Sequence, residues 1–454
     1  MGSFIDLGSI LSAFSSSGGI NVQAAVAQAL AAEAGPLNEW QQEQALIQSQ
    51  TSDIHTIEGN LTTLENALQS LGDPAGSLMA MTATSSDSGV VTAAAANGAA
   101  SGNHVLEVDS VATTGSWYSD AVATGDTALP DGGFTLQVGA NTPIQIPIGG
   151  NVDTLNQLST YINGLNAGVT ANVVTDSNGA RLSIVSNASG AANDITISGE
   201  TGLNFTQATI GADASLKVDG IPIDSASNTV TGVIPGVTFN LVSANPKEQV
   251  NVAIASDSNA ITQSITSFVN AYNAVIGNVN QEFTVGANGV QGPLAGDSTL
   301  RMLQDMMLGS GSYQSNSGTG ISTLADLGIT MNDDGTLSVD NSTLASAVST
   351  NFAGVQNFIQ GTSSNGFAAF LNNQLNTMTD ATSGAFTVDL QSLNNENSDL
   401  QDEINNFQDW LQSEQTRLTN EYNQVAATLQ QLPILEKQIQ SELANIGSNT
   451  GSGS

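Results

Sequence analysis

The chain contains no cysteine and few basic residues. Without cysteine, disulfides and thiolate metal sites are excluded. There are 6 basic residues against 41 acidic ones among 454, which gives a formal net charge of −35. Nucleic-acid binding requires clustered Lys and Arg that neutralise phosphates, and an anionic membrane surface would repel this chain for the same reason. We therefore expect no nucleic-acid partner, and we interpret the acidity as a source of solubility and of repulsion between monomers.

The chain also lacks a long apolar run. No stretch of about 18 apolar residues is present, so we expect no membrane insertion. The N-terminal residues carry no positive charge, so a standard secretory signal peptide is not expected, and an extracellular location would require another export route. Charged residues make up 10% of the chain and aromatic residues 5%, whereas 40% are hydrophobic. This composition is unusual for a cytosolic enzyme and favours an extended, β-rich extracellular protein.

Few residues could carry chemistry. The two histidines, His55 and His104, lie on different predicted elements without neighbouring metal ligands, and so few candidates give no Ser-His-Asp arrangement. Residues 332–335 (NDDG) resemble an acidic calcium loop, but the glutamate that ends an EF-hand loop is missing, so a hairpin turn is the better interpretation. We expect no enzyme activity, no catalytic residue, no cofactor and no metal site.

Two helices are predicted near the N-terminus. The first covers residues 21–34, with Asn21 as its N-cap. The second starts at Pro36, a residue suited to the first turn of a helix, and ends at Leu71 before a Gly-Asp-Pro sequence. Apolar residues recur in this helix at gaps of three and four, which is the pattern of a coiled-coil face. A helix roughly 50 Å long with one apolar stripe needs a partner helix.

The C-terminal segment is predicted to supply that partner. Its apolar residues keep spacings of three, four or seven from Leu393 to Ile446, with a slip of register near Leu418. Pro433 lies inside the pattern and should kink or break the helix. The pattern leaves open whether these stripes form a core within one chain or pack between molecules. The expected coiled-coil or assembly face consists of Leu37, Trp40, Ile47, Ile54, Ile57, Leu61, Leu64, Leu68, Leu400, Ile404, Phe407, Leu411, Leu418, Val425, Leu429 and Leu432.

The middle of the chain changes to a period of two, which predicts strands. Turn signals such as Asp219-Gly220 separate these strands, and residues 154–163 read as a short amphipathic helix. Helices are again predicted over residues 260–281 and 298–308, followed by a hairpin over residues 330–339. The predicted strands cover residues 104–108, 134–138, 182–186, 195–197, 216–218, 237–241 and 250–254.

Together these patterns predict an α+β multidomain fold. The N- and C-terminal segments form a helical coiled-coil stem, and β-rich domains are inserted in the middle in a nested order. We expect terminal helices in residues 1–40 and 411–454, flexible until assembled, and a helical stem domain in residues 41–80 and 257–410. A β-rich domain is expected in residues 81–115 and 213–256, and a distal β-rich domain in residues 116–212.

Eight short segments form a recognisable series: residues 19–22 (GINV), 32–37 (AEAGPL), 227–230 (SNTV), 234–239 (IPGVTF), 268–273 (FVNAYN), 292–301 (GPLAGDSTLR), 324–330 (LADLGIT) and 334–337 (DGTL). They resemble the flagellar hook-associated protein 2 family, the filament cap proteins. Their order and spacing are those of the family, and together they cover most of the chain. Residues 153–198 are also similar to a small module found in flagellins and hook proteins.

The resemblance implies a structural protein at the distal tip of the flagellum. Family members form an oligomeric plate with leg-like helices, beneath which exported flagellin folds and inserts, and this activity is needed for filament elongation and motility. The implied partners are further copies of the chain (with a pentamer among the expected forms), flagellin, hook-filament junction proteins, and a cytoplasmic export chaperone that binds the C-terminal helix. The implied location is extracellular, reached through the flagellar type III pathway.

Three alternatives remain from the residues. One is another flagellar axial protein, although the Asn-rich motif expected near the N-terminus of such proteins is absent. Another is an adhesin that binds host glycans or mucin through its β domains, for which Trp117 and Tyr118 are the nearest candidates, although we expect them to pack in a core or interface. A chaperone that acts in solution is the third.

Overall fold

The computed structural model describes residues 21–286, 289–315, 318, 320–362 and 365–449, with side chains described as far as residue 444. The outer parts of the predicted terminal segments, residues 1–20 and 450–454, lie outside this range, as do the first two residues of the GINV segment. Within the described part of the chain, no helix is long and apolar enough to cross a membrane.

Helices lie at both ends of the chain and strands in the middle, which confirms the predicted α+β class. The helices are α1 (Val22–Glu33), α2 (Gly35–Gly72), α3 (Leu155–Gly164), α4 (Ser258–Phe283), α5 (Ser298–Ser310), α6 (Asn341–Thr350), α7 (Phe352–Ile359), α8 (Phe367–Thr379) and α9 (Ala385–Asn449). The strands are β1 (Met81–Ser85), β2 (Val91–Ala95), β3 (Gly102–Ser110), β4 (Ser116–Ser119), β5 (Gly132–Val138), β6 (Ile144–Ile148), β7 (Val169–Asp176), β8 (Gly179–Ser186), β9 (Ile195–Thr201), β10 (Phe205–Thr209), β11 (Ala214–Val218), β12 (Ile221–Ser225), β13 (Thr229–Thr231), β14 (Val237–Leu241), β15 (Val250–Ser256), β16 (Ile329–Met331) and β17 (Leu337–Val339).

Local sequence signals set the start of most helices. Asn21 accepts a hydrogen bond from Ala24 N–H at the start of α1, and Thr154 does the same for Gln157 N–H at the start of α3. At the starts of α4 and α5, the Asp257 and Asp297 side chains each accept a hydrogen bond from the backbone N–H three residues further along the chain. These side chains satisfy backbone donors that a helix start leaves without an intrahelical partner. The predicted N-cap at Asn21 is therefore confirmed.

The largest hydrophobic core belongs to the helices. Helix α2 packs against α4 and α8, and the core extends from Ile54 to Phe386, with α5, α6 and α7 around it. Tyr272 of α4 is fully buried there, and its hydroxyl donates to Met307 O at 2.7 Å. Burial without a partner would leave this hydroxyl desolvated, so the hydrogen bond fixes the position of α5 against α4.

Two further cores lie in the β region. One, between Val90 and Ile254, joins a five-stranded sheet of order β1-β15-β3-β11-β12 and a three-stranded sheet of order β13-β14-β2. The other, between Leu129 and Phe205, joins sheets of order β10-β4-β8-β7 and β6-β5-β9 with helix α3. The second core lies within a segment that interrupts the first, because β11 returns to pair with β3. The nested order expected from the sequence is thus observed.

All seven strands and all five helices predicted outside the C-terminal segment are present. The prediction missed β1, β2, β4, β6, β7, β10, β12, β13 and the three helices α6, α7 and α8. Pro433 was expected to kink or break the helix, and of these two the break was wrong, because α9 is continuous through Pro433. Proline removes one helical N–H, and because Pro433 and its neighbours are solvent-exposed, water can hydrate the carbonyl that loses its donor.

Candidate assembly surfaces

The predicted assembly face divides into three environments. Its first group lies in the helical core, between α2 and the helices α4 and α8 of the same chain. These side chains are at most 1% exposed, so they stabilise the chain itself. Helices α4 and α8 share the apolar face of this half of α2 with the start of α9, from which Phe386 joins the same core. The group consists of Ile54, Ile57, Leu61, Leu64 and Leu68.

The second group joins α2 to α9 as predicted. Ile47, Leu400 and Ile404 are buried together, and Leu37 and Trp40 pack against them. The Trp40 and Phe407 rings meet edge to face, with their centroids 5.3 Å apart. The T-shaped geometry brings the positive ring edge to the negative ring face. These residues form the α2–α9 junction.

A polar contact fixes the direction of this junction. Gln44 Nε2 donates to Gln401 Oε1 at 2.8 Å, close to the Trp40–Phe407 pair. Trp40 meets Phe407, whereas Gln44, later on α2, meets Gln401, which is earlier on α9. The two helices are therefore antiparallel. Helix α1 continues along α9, where each helix buries one apolar residue, Val26 and Leu418.

The register slip predicted near Leu418 coincides with a change of partner on α9. Before this point α9 contacts α2, and near it α9 contacts α1. Arg417 lies on the outside, where it pairs with Glu414 and, at 2.8 Å, with Glu421. Leu411 is half-buried between the two contacts. The face of α9 that carries Leu400, Ile404 and Leu418 is therefore covered within the chain.

The third group lies beyond the contacts that α1 and α2 make with α9 in the described part of the chain. Leu429 is half-buried, whereas Val425 and Leu432 are exposed, and every residue from 430 to 444 is exposed. Leu435, Ile439 and Leu443 continue this face at helical spacing with more than half of their surface in water. We call Val425, Leu429, Leu432, Leu435, Ile439 and Leu443 the apolar stripe. Leu435 was missed in the expected assembly face, although its position three residues after Leu432 indicates it.

Trp410 is a second residue that the sequence reading missed. It stacks on Phe407 with ring centroids 5.1 Å apart, and 45% of its surface is exposed. Its spacing of three from Phe407 was the available signal. The junction therefore ends in an aromatic side chain that faces solvent.

The family-like segment at residues 292–301 folds around a buried carboxylate. Glu282 accepts a hydrogen bond from Leu294 N–H at 2.9 Å, and Gly292 N–H donates to Glu282 O. A Cβ at Gly292 would lie 2.2 Å from Glu282 Oε2, so only glycine fits. Burial raises the pKa of Glu282, and the nearby Asp53 carboxylate raises it further against that hydrogen bond. This arrangement holds the loop after α4 against the end of that helix.

The candidates for chemistry form no site among the described residues. His55 is exposed beside Glu58, and His104 binds Asp219 at 2.8 Å, a bond that lowers the pKa of Asp219. Residues 332–335 form the hairpin turn between β16 and β17 as predicted. Across the parts of the chain that the structure describes, no group of His, Asp and Glu has the proximity of metal ligands.

Trp117 and Tyr118 point to opposite faces of β4. The Trp117 indole packs against the core of the distal β region, and its Nε1 donates to Ile195 O at 2.8 Å. Tyr118 lies on the solvent face, where the Arg181 guanidinium is 5.6 Å from its ring centroid. Trp117 thus packs in a core as expected, whereas Tyr118 does not.

Similarity to known proteins covers both ends of the chain. Residues 18–115 match the family model described as flagellar hook-associated protein 2 N-terminus, and residues 211–433 match the one described as flagellar hook-associated protein 2 C-terminus. The B-type flagellar hook-associated protein 2 of Pseudomonas aeruginosa is 28% identical over 424 residues, which is 86% of this chain and 88% of that protein. The flagellar hook-associated protein 2 of Aeromonas caviae is 28% identical over 394 residues, 79% of this chain and 82% of that protein.

A solved structure is also similar. The crystal structure of the D1-D2-D3 domains of the flagellar cap protein FliD from Escherichia coli superposes with a TM-score of 0.59 at 27% identity. The match covers 75% of this chain and 99% of that structure. The similarity therefore extends over helical and β-rich parts together.

Proposed function

The chain belongs to the flagellar hook-associated protein 2 family, and from this premise we propose that it caps the distal end of a bacterial flagellar filament. In this role several copies form a plate, beneath which exported flagellin subunits fold, insert and are kept from loss. The protein would be needed for filament elongation and motility. Its place would be extracellular, after export through the flagellar type III pathway.

The apolar stripe of α9 is the observation that carries this proposal. It has helical spacing, yet among the described residues Leu429 is only half-buried and the other members of the stripe are exposed. An exposed stripe of this length is costly in water and marks a surface that a partner helix covers. A leg that docks on the filament or on the hook-filament junction would provide that partner. The Gln44–Gln401 contact and the α2–α9 junction connect this leg to the helical core.

We divide the chain by role as the sequence suggested. Residues 1–40 and 411–454 would be the docking legs, residues 41–80 and 257–410 the stem, and residues 81–115 with 213–256 and 116–212 the β-rich plate. The separate hydrophobic cores of the stem and of the two β regions support this division. A cytoplasmic export chaperone would cover the C-terminal helix before export, because the stripe would otherwise aggregate.

A deletion in the source bacterium tests the cap role. We expect unpolymerised flagellin in the medium, intact hooks and no motility, with all three restored by the wild-type chain on a plasmid. Filaments of normal length and number after the deletion would contradict the proposal.

Adhesion to host glycans through the β domains is the alternative function. Tyr118 and Arg181 offer an exposed aromatic ring and a cation, whereas the half-buried Trp117 indole packs on the distal core and donates to Ile195 O. Glycan-array binding that disappears with Tyr118→Ala and persists with Tyr161→Ala, a half-buried tyrosine that packs on the distal core, would support this function.

A further inference from the structure

The edge strands of the β region are protected against pairing with other chains, with one exception. An edge strand presents unpaired N–H and C=O groups, and proteins usually interrupt such edges with proline, charge, bulges or short length. Every residue from 81 to 256 is described, so each edge can be inspected. Two edges contain proline: β6 has Pro147, and β12 has Pro222 together with Asp224. Two have an irregular register, β9 at Gly199 and β10 after Gln207. Strand β13 is only three residues long, and the edges β1 and β2 lie against each other.

Strand β7 is the exception. It pairs with β8 over eight consecutive residues without a register shift, and it contains no proline and no charge before Asp176. In an antiparallel ladder, residues alternate between bonding their neighbour and pointing away from it. Ala171 points away from β8, because its N–H and C=O both bond the Asn163 side chain at 2.8 Å. By the same alternation, the backbone groups of Val173 and Thr175 also point away from β8.

Asn163 blocks only the first part of this edge. Its side-chain amide makes the two hydrogen bonds with Ala171 that a neighbouring strand would make, and Ser159 Oγ also donates to Ala171 O, at 2.7 Å. Helix α3 ends at Gly164, so no side chain of α3 reaches the later residues in this way. Two N–H and two C=O groups, those of Val173 and Thr175, are left at an edge that the chain does not cap.

The outer face of β7 carries one carboxylate and lies beside a cation and an aromatic ring. Val174 is 55% exposed on the outer face of the sheet, next to Arg181 and near Tyr118. The single carboxylate at the edge, Asp176, lies 3.7 Å from the Arg181 guanidinium. In a chain of net charge −35, two copies can approach closely only where such charges are absent or compensated.

We propose that the β7 edge binds the β7 edge of a second copy of this chain, antiparallel, about a two-fold axis at Val174. Val173 of each copy then lies opposite Thr175 of the other, and the two pairs exchange four backbone hydrogen bonds. All the outward groups are used, and none is left over. Asn172 of each copy lies opposite Asp176 of the other, so an amide donor meets the carboxylate and the two carboxylates stay apart. This self-complementarity identifies the occupant as a second copy, because a two-fold contact requires the same surface on both sides.

The contact is short and therefore weak. It connects two chains by their distal β regions, and it would act where copies are already concentrated, for example between two assembled plates. The inference concerns self-association alone and holds whether or not the chain caps a filament. Its failure would leave the deletion phenotype unaffected.

Disulfide trapping tests the contact directly, because the chain contains no native cysteine. Residues opposite each other in a non-hydrogen-bonded pair have Cα atoms roughly 4.5 Å apart, within the range that a disulfide spans. We expect Val174→Cys in the full-length chain to form a disulfide dimer about tenfold faster than Val242→Cys under mild oxidation. Val242 is the matched control, since it is the same residue type at the same 55% exposure but lies outside the strands.

A second variant separates edge pairing from chance collision. Thr175→Pro removes an N–H that points away from β8, so the β7–β8 ladder is kept and folding, checked by circular dichroism, should be preserved. In the Val174→Cys background it should reduce the rate of dimer formation to that of Val242→Cys. Equal rates for Val174→Cys and Val242→Cys would overturn the proposal, as would a Val174→Cys rate that the folded Thr175→Pro variant leaves unchanged.

Discussion

The two ends of α9 carry the same apolar periodicity in opposite environments. Leu400, Ile404 and Leu418 are buried where α9 meets α2 and α1, whereas most apolar residues from Val425 to Leu443 face water. The comparison shows that a heptad pattern predicts a contact but not the partner. Where the chain supplies the partner, the apolar pattern marks residues that stabilise the fold of the chain itself. Where it does not, the pattern reports an interaction that the isolated chain leaves unmade.

The largest expected effect comes from charging the exposed end. Leu435→Asp with Ile439→Asp should abolish filament growth in the complemented deletion strain, because carboxylates in a helix–helix contact lose their hydration without compensation. Free flagellin in the medium is the readout. The unfolding free energy of the purified variant should stay within about 0.5 kcal/mol of wild type, since both side chains have more than half of their surface in water.

The matched control for this variant places the same charge on the other face of the same helix. Gln430→Asp with Ser441→Asp should leave filament growth intact. Equal loss with both pairs would mean that added charge alone disturbs export or solubility, and the contrast between the two ends of α9 would lose its functional meaning.

A substitution in the helical core should have the opposite effect, a large loss of stability. Leu61→Ala removes a side chain that is fully buried in the helical core, and it should lower the free energy of unfolding by about 2–5 kcal/mol in urea titrations. Leu432→Ala, which removes the same atoms from an exposed position, should change it by less than about 0.5 kcal/mol. If both variants lose similar stability, the stripe is covered within the chain after all.

The α2–α9 junction should show an intermediate effect. A double-mutant cycle on Trp40→Ala and Phe407→Ala measures how much the two rings stabilise each other beyond their separate burial. Edge-to-face pairs of this kind contribute about 0.5–1.5 kcal/mol. A coupling energy near zero would indicate that the helices are held by Ile47, Leu400 and Ile404 alone.

The smallest effect concerns pH and compares two carboxylates. Burial raises the pKa of Glu282, so its charged form costs stability, and this cost disappears as the pH falls toward the ordinary carboxyl range. Hydrogen bonds from Ser342 and Thr343 lower the pKa of Asp340 to about 2, so its contribution is present above pH 4 and is lost as the pH falls from there toward 2. Thermal unfolding between pH 3 and 8 follows both effects.

The two carboxylates predict opposite changes on neutralisation. Glu282→Gln keeps an acceptor for Leu294 N–H and should raise the unfolding temperature at pH 7, with the gain shrinking as the pH falls. Asp340→Asn should lower the unfolding temperature at pH 7, with a loss that shrinks below pH 4. A Glu282→Gln variant that is less stable than wild type at pH 7 would show that the buried charge is compensated.

Sequence patterns predicted the elements better than their partners. The strands and the long helices follow periodicity and capping residues, which act locally. The three helices α6, α7 and α8 were missed although Asp340 and Asn351 cap the first two and Leu371 and Leu375 mark the face of the third. Short helices bury few residues each, so their periodicity is weak against that of the surrounding loops.

The partner of α2 could not be predicted because three helices compete for its apolar face. Leu61 and Leu64 contact the core with α4 and α8, although their spacing fits the α9 heptads equally well. The choice depends on the tertiary arrangement of segments more than 200 residues apart, which no local pattern contains. The edge of β7 was missed for a similar reason, since its exposure depends on where α3 ends.

The nested topology has a consequence for the order in which the chain can fold. The core between Leu129 and Phe205 is continuous in sequence, the one between Val90 and Ile254 closes around it, and the helical core closes only when Ile54 meets residues as late as Phe386. Each closure brings together ends that the previous one has already shortened, which reduces the entropy lost in joining them. We therefore expect folding from the innermost segment outward, with the terminal helices last. A chain that folds in this sequence acquires its docking surface only after the rest of the molecule is complete.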